Sequence, residues 1–310
     1  MYVDERSDHI TDPAVLSRIR ALAIPPAWTD VWICPRADGH IQATGRDDRG
    51  RKQYIYHSNW DRIRSETKFN RLIPFGEALP DIRRQCHELL SGSGLTRERV
   101  LATVVTLLDR TLIRVGNVEY ARHNDSYGLT TLRDKHVAFE GQSLTFSFRG
   151  KSGKKHVVRL NDRRLARIVR KCRDIPGFEL FQYYDEDGAR SDVGSGDVNQ
   201  FLQELTGADF TAKDFRTWGG SVRAAEILYE LGPATSKTDA RRKLAEMNRL
   251  VGAELGNTPA ICRDYYVHPL LPDLYECGEL AARWDAHRRE PQVPGLEPGE
   301  SALLRLLKAA

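Results

Sequence analysis

The hydrophobic period changes near residue 67 of this chain, and that change limits the fold more than any other feature. Before about residue 67, apolar residues alternate in short runs broken by polar turns. "DVWICP" (30–35) and "HIQATG" (40–45) flank a turn containing Asp38-Gly39, a strong hairpin signal. After a second polar turn, "GRDDRGR" (45–51), the segment "KQYIYH" (52–57) reads as the next strand. Beyond that point the period lengthens to that of helices. Val100, Val104, Leu107, Leu108 and Leu112 share one face of a helix predicted within Leu95–Arg114. Leu165, Ile168, Val169 and Cys172 follow at i, i+3, i+4, i+7 behind an N-cap expected at Asn161. Two further amphipathic faces, Val198-Phe201-Leu202-Leu205 and Leu244-Met247-Val251-Leu255, stop at Gly207 and Gly256. Strands are predicted at 135–160, and the Pro/Gly/Glu-rich stretch at 290–300 reads as a linker to a short terminal helix. The fold class is therefore α+β. A small, mainly antiparallel β N-terminal domain (1–66) precedes a larger, mainly α domain (67–310) that contains a small β-sheet.

At 310 residues there is ample material for such cores, but the net charge of +4 says little about partners. Its distribution says more. Basic residues concentrate in "GRDDRGRKQY" (45–54), "GKSGKKHVVR" (150–159) and "RRLARIVRKCR" (163–173), as on a surface that meets a polyanion. Any one run taken singly is more ordinarily a solvated helix or turn face. Tyr54 and Tyr56, two apart, share a strand face beside Arg46, Arg49, Arg51 and Lys52. That pair is either a core edge or a surface for bases and phosphates, and the adjoining basic turn favours the latter. The five cysteines form no CxxC pair and the nine histidines no HExxH or Cys/His group, which fits inert thiols in a reducing compartment and speaks against structural zinc. The charged N-terminus and the lack of any run of ~18 apolar residues point to a cytoplasmic protein without membrane attachment.

"SLTFSFRGKSGKKHVVRL" (143–160) contains a GKS like the end of a nucleotide-binding loop. Such a loop needs a glycine five positions before Gly150, where Thr145 stands, and must pass from a strand into a helix. Leu144, Phe146 and Phe148 instead alternate, and Val157 and Leu160 resume after the turn, which predicts a β-hairpin with a lysine at its tip. Three other segments stand out. "LIRVGNVEY" (112–120) puts Arg114 at a helix end, "KDFRTWGG" (213–220) carries Arg216, and "GNTPAICRDYY" (256–266) runs through a Thr-Pro turn into a helix with two tyrosines. Each has an ordinary explanation: arginines cap helix carbonyls, and paired tyrosines pack half-buried.

Taken in order, Arg114, Lys151 on its hairpin, Arg216 in KDxRT, Asn257 in GxTP and Tyr266 nine residues later resemble the type IB DNA topoisomerases, in particular their compact poxvirus and bacterial branch. "AIPPAW" (23–28), "GRDDRGRKQYIYH" (45–57) and "GLTTLRDKHV" (128–137) extend the likeness over nearly the whole chain. Asn257 departs from the histidine of poxviral and nuclear relatives and is similar to the bacterial branch, and it still supplies a hydrogen-bond donor.

The resemblance implies the catalytic fold shared with tyrosine recombinases and relaxation of positive and negative supercoils. One DNA strand is nicked through a transient 3′-phosphotyrosine, rotates and is religated, without ATP, metal or other cofactor. It makes Tyr266 the nucleophile, Lys151 the general acid for the departing 5′ oxygen, and Arg114, Arg216 and Asn257 the stabilisers of the transition state. Those residue types suit those tasks. Guanidinium forks match the non-bridging oxygens of a five-coordinate phosphorus. A lysine near two arginines has its pKa lowered from ~10.4 by like charge. Lys154 and Lys155 are the alternative acids, but only Lys151 follows the Phe-x-Gly that matches the family. Tyr265 competes with Tyr266, and the spacing from Asn257 in the family selects Tyr266. For DNA contact the resemblance carries over Arg51, Tyr54 and Tyr56 from the β domain and Tyr120 and Lys213 from the larger one, in a clamp acting as a monomer on double-stranded DNA at the nucleoid.

A tyrosine recombinase shares the Arg/Lys/Arg/Tyr set, but recombinases usually carry His-x-x-Arg where this chain has Lys213-Asp214-Phe215-Arg216, and their DNA-binding arm is helical. A non-catalytic DNA clamp is the other rival, and the presence of all five positions argues against it.

Overall fold

The structure is a computed structural model describing residues 2–3, 6–48, 50–59 and 68–310. It divides into two compact units, Met1–Asn70 and Arg71–Ala310. Arg49 of the basic turn and the expected 66/67 boundary lie outside the described residues.

In the first unit, helix α1 (Pro13–Ala21) starts where Asp12 caps it, Oδ1 accepting from Ala14 N–H at 2.7 Å, with proline at the first helical position. Strands β1 (Thr29–Ile33), β2 (Ile41–Arg46) and β3 (Lys52–Tyr56) form an antiparallel sheet in chain order. The Asp38-Gly39 turn is held from inside by Gln42, 2% exposed, whose Nε2 donates to the carbonyls of Arg36, Ala37 and Gly39. Arg18 ties α1 to this turn through Gln42 Oε1 (2.8 Å) and Cys34 O (2.7 Å).

The second unit is built on α2 (Leu72–Ser91), α3 (Arg97–Thr111), the short α4 (Val118–Asn124) and a three-stranded antiparallel sheet of β4 (Val137–Glu140), β5 (Ser143–Arg149) and β6 (Lys155–Asn161). Then come α5 (Arg163–Arg173), the small hairpin β7 (Gln182–Tyr184) and β8 (Arg190–Asp192), and α6 (Ser195–Thr206). The long helices α7 (Ala212–Glu230) and α8 (Lys237–Leu255) precede α9 (Pro259–Tyr265), α10 (Leu270–Glu276), α11 (Leu280–Arg289) and α12 (Pro298–Lys308). The expected hairpin is formed: β5 and β6 pair from Ser143↔Asn161 to Arg149↔Lys155, with Leu144, Phe146 and Phe148 buried. Among the described residues, no helix is long and apolar enough to cross a membrane.

Two details differ from the sequence reading. Asn161 ends β6, and the cap of α5 is Asp162, whose Oδ1 accepts from the N–H groups of Arg164 and Leu165 at 2.9 Å each. A carboxylate caps as well as an amide and also pairs with Arg110. The segment at 290–300 is not a loose linker. Leu296 is buried, Arg305 holds the carbonyl of Pro291, and α12 buries Ala302, Leu303, Leu304, Leu306 and Leu307. Composition hides this because the apolar face of α12 needs partners far back in the chain.

Those partners surround a buried ionic knot. Arg83 on α2 forks onto Asp109 of α3 (2.9 Å twice) and Glu300 of α12 (2.7 and 2.9 Å), and Trp218 Nε1 of α7 donates to Glu300 at 3.1 Å. Burial is the largest influence on Asp109 and pushes its carboxyl up against the pull of Arg83. Arg83→Ala leaves two carboxylates buried together. It is expected to destabilise the protein by about 3 kcal/mol or more, read as a lower urea midpoint at neutral pH.

Candidate active site

Three segments of the second unit, far apart in sequence and carrying Arg114, Arg216 and Asn257–Tyr266, come together around one tyrosine. α3 stops at Thr111 because Leu112 takes left-handed backbone (φ 53°), which turns the chain out of the helix. Arg114 therefore lies beyond the helix, on an irregular segment pinned by backbone bonds from Leu129 N–H to Arg114 O (2.9 Å) and Thr130 N–H to Val115 O (2.7 Å). The segment "GLTTLRDKHV" thus sets the backbone of the first arginine.

Arg216, 4% exposed, sits in the second turn of α7. Its Nη1 donates to Leu112 O and its Nη2 to Leu255 O (2.9 Å), carbonyls at the C-termini of α3 and α8. Helix C-termini carry unpaired carbonyls and partial negative charge, so they hold a buried guanidinium without neutralising it. Nε has no hydrogen-bond partner.

Gly256 (φ 63°) ends α8 in the left-handed conformation, and Asn257 follows it, 8% exposed. Asn257 Oδ1 accepts from Arg114 Nη2, and its main-chain carbonyl accepts from Lys154 Nζ at 2.6 Å. Its Nδ2 has no hydrogen-bond partner within ordinary distance limits, although the Cys262 thiol lies near enough to interact with the amide.

Thr258 caps α9, with Oγ1 accepting from Ile261 N–H, and Pro259 opens the helix. Tyr265 is its last residue and Tyr266 the first beyond it. Tyr265 is exposed, while Tyr266 is partly buried with the Arg216 guanidinium over its ring, 5.0 Å from the centroid. Ser221 Oγ, also on α7, donates to the Tyr266 carbonyl at 3.2 Å. One helix therefore positions both the guanidinium and the backbone of the tyrosine.

The electrostatics follow from this packing. Burial, the largest influence on Tyr266, would raise its phenol. The charge and hydrogen bonding of Arg216, with the charges of Arg114 and Lys213, outweigh it and leave the phenol below the ordinary tyrosine value. Burial and then the charge of Arg216 depress Arg114, to about 10. Among the described residues, no group of three or more His, Cys, Asp or Glu side chains is arranged to hold a metal ion.

Of the expected residues, Arg114, Arg216, Asn257 and Tyr266 come together. Lys151 lies on the exposed 3₁₀ turn Lys151–Gly153 at the hairpin tip and makes no hydrogen bond or ion pair among the described residues. The hairpin residue that reaches the cluster is Lys154. Lys213 is exposed one turn before Arg216, and Tyr120 is 48% exposed in the first turn of α4. In the other unit, Tyr54 and Tyr56 stack on one face of β3, 6.1 Å apart at 17°, with Lys52 over Tyr54. Arg51 is folded onto Asp47, its Nε donating to Oδ2 at 2.7 Å, so acidic residues neutralise part of that basic turn.

Sequence reasoning did not single out His156, which stacks on Phe148 and whose pKa burial lowers, followed by Arg114, Arg216 and Lys154. The alternation of β6 offered a signal, since it places residues 156, 158 and 160 on the less exposed side.

Known proteins resemble the chain along this same span. Residues 57–268 match the family model "Eukaryotic DNA topoisomerase I, catalytic core", and residues 1–47 match "Bacterial DNA topoisomerase IB, N-terminal domain". DNA topoisomerase 1B of Acanthamoeba polyphaga mimivirus is 31% identical over 89% of this chain and 84% of its own length. DNA topoisomerase 1B of vaccinia virus (strain Copenhagen) is 22% identical over 80% of this chain and 78% of its own. A catalytic-core match across most of the chain, and a relative this similar along nearly all of it, place the chain in the type IB DNA topoisomerase family.

Proposed function

We propose that this enzyme relaxes supercoiled duplex DNA by two opposite transesterifications at Tyr266. The phenolate oxygen attacks a backbone phosphorus, the Tyr266 Oη–P bond forms, and the bond from phosphorus to the 5′ oxygen breaks. The strand end is then held as a 3′-phosphotyrosine while the 5′-hydroxyl strand rotates about the intact one. Attack by that hydroxyl reverses the step and restores both tyrosine and DNA. One phosphodiester replaces another throughout, so neither ATP nor a metal ion enters the balance.

The observation that carries this reading is the Tyr266 phenol, partly buried beneath Arg216, with the charges of Arg216 and Arg114 lowering its pKa. Arg114 and Arg216 donate to neutral oxygens, not carboxylates, and so retain charge for a phosphate. The partnerless Nε of Arg216 and the Nδ2 of Asn257, which has only the Cys262 thiol nearby, are donors for its non-bridging oxygens. The 5′ oxygen would leave as a strongly basic alkoxide, and Lys151 gives it a proton. Lys154 is less suited to that task because its ammonium is engaged by the Asn257 carbonyl, whereas the Lys151 side chain is exposed at the tip. Arg51, Tyr54, Tyr56, Tyr120 and Lys213 would hold the duplex, largely through phosphates, so binding weakens as salt rises. The enzyme acts as a monomer on cytoplasmic, nucleoid DNA, and its catalytic unit shares the tyrosine-recombinase fold.

Plasmids of either supercoil sign are expected to relax fully in EDTA without nucleotide. Tyr266→Phe is expected to lose at least ~10⁴-fold in rate, as removal of a nucleophile does, and to leave no protein on DNA after a denaturing quench. Loss of wild-type activity in chelator, or activity in Tyr266→Phe, overturns the reading.

The pH dependence has a fixed sign. Because Tyr266 lies below its ordinary value of 10.0, the rising limb of single-turnover cleavage against pH is expected to have its midpoint below 10.0. Arg216→Gln removes the main opponent of burial, so that midpoint is expected to move upward in addition to the fall in rate.

A further inference from the structure

The imidazole of His156 occupies a place that two glycines leave for it. A Cβ on Gly256 would lie 2.1 Å from its Cε1, and a Cβ on Gly150 would lie 2.6 Å from its Cδ2 and Nε2. Phe148 covers one face of the ring, with centroids 5.1 Å apart and planes within 7°. Gly150 immediately precedes Lys151, and Gly256 immediately precedes Asn257. A single flat ring thus touches the backbone just before the proposed acid and just before a proposed transition-state donor.

A second link runs parallel to it. Lys154 Nζ holds the Asn257 carbonyl at 2.6 Å, while Gly150 N–H donates to Lys154 O (2.8 Å) and Gly153 N–H to Gly150 O (3.0 Å). The turn carrying Lys151 is therefore closed on itself, and its base is fastened to the end of α8. His156 Nε2 is buried without a hydrogen-bond partner, so the ring acts here as a plate and not as a donor or acceptor.

We propose that His156 is a positioning residue, a spacer that with Lys154 docks the base of the β5–β6 hairpin onto the Gly256–Asn257 turn, so that Lys151 and Asn257 are set relative to one another as one unit. This rests on the reading that Lys151 delivers the proton to the 5′ oxygen. Replacing the ring by a methyl leaves the hairpin base unsupported. A misplacement of about 1 Å at a reacting group lowers rates by ~10²-fold.

The test is single-turnover cleavage of a duplex by the full-length enzyme, with either oxygen or sulfur at the bridging 5′ position of the scissile phosphate. A thiolate leaves without a proton, so the sulfur substrate bypasses the acid. His156→Ala is expected to lose ~10²-fold on the oxygen substrate, with DNA affinity unchanged, and to regain most of that loss on sulfur. His156→Phe, which keeps a flat ring without nitrogen, is expected to recover most of the wild-type rate on oxygen. Lys151→Ala is the control for the underlying reading. If sulfur fails to rescue Lys151→Ala, the acid assignment falls, whereas the positioning role falls on its own terms in any of three cases. These are full activity of His156→Ala on oxygen, His156→Phe as slow as His156→Ala, or rescue of Lys151→Ala but not of His156→Ala by sulfur. Should His156→Ala fail to fold, His156→Phe decides alone: near-wild-type cleavage supports the plate, and a slow but folded His156→Phe overturns it.

Discussion

Arg216 bridges the carbonyl ends of α3 and α8, and the geometry of the site depends on that bridge. A guanidinium 4% exposed would ordinarily require a carboxylate. Here it receives two helix C-termini instead, through Leu112 O and Leu255 O, and so remains a net positive charge in a partly dry environment. The same two carbonyls belong to the segments that lead, two residues later in each case, to Arg114 and Asn257, which bond to each other. Tyr266 lies with its ring under the Arg216 guanidinium, its backbone held by Ser221 on the helix that bears Arg216. Binding the guanidinium, ending the helices and placing Tyr266 are one packing event.

The two ionic centres of the larger unit make an instructive contrast. At Arg83 a single cation meets two carboxylates, every fork is filled, and the cluster fastens the terminal helix α12 to α2, α3 and α7. Around Tyr266, Arg114 and Arg216 meet neutral oxygens, a buried donor of Arg216 is left over, and the phenol is drawn toward its anionic form. The first arrangement satisfies itself and stabilises the fold. The second leaves a buried donor and net positive charge unmatched, as the proposed phosphodiester site would require.

Much of this was legible in the sequence where the signal is local. Period-2 and period-3.6 runs, with Gly207 and Gly256 as stops, mark α6, α8, the hairpin and its buried Phe146 and Phe148. The basic turn at 45–51 was less legible, because Arg51 and Asp47 are close in sequence but only the turn conformation pairs them. The stretch at 290–300 misled for the opposite reason: its composition is that of a linker, while its neighbours Pro80 and Arg83 lie more than two hundred residues away. Asn161 and Asp162 are both good caps, and strand pairing of Asn161 with Ser143 decides between them.

By itself the sequence determined which residue types were available and in what order: two arginines, a hairpin lysine, an asparagine after a helix-ending glycine, and a tyrosine beyond a Thr-Pro cap. Those features are chemical identity and local conformation, both written within a few neighbouring residues. Only the tertiary structure decided that Leu112 and Leu255 lend their carbonyls to Arg216, that Lys154 and not Lys151 fastens the hairpin, and that His156 fills the room left by Gly150 and Gly256. The reason is physical. These contacts act through backbone atoms and empty space, three of them across about one hundred residues of chain (Leu112 to Arg216, Lys154 to Asn257, His156 to Gly256), and neither backbone nor space carries a side-chain signature in the sequence.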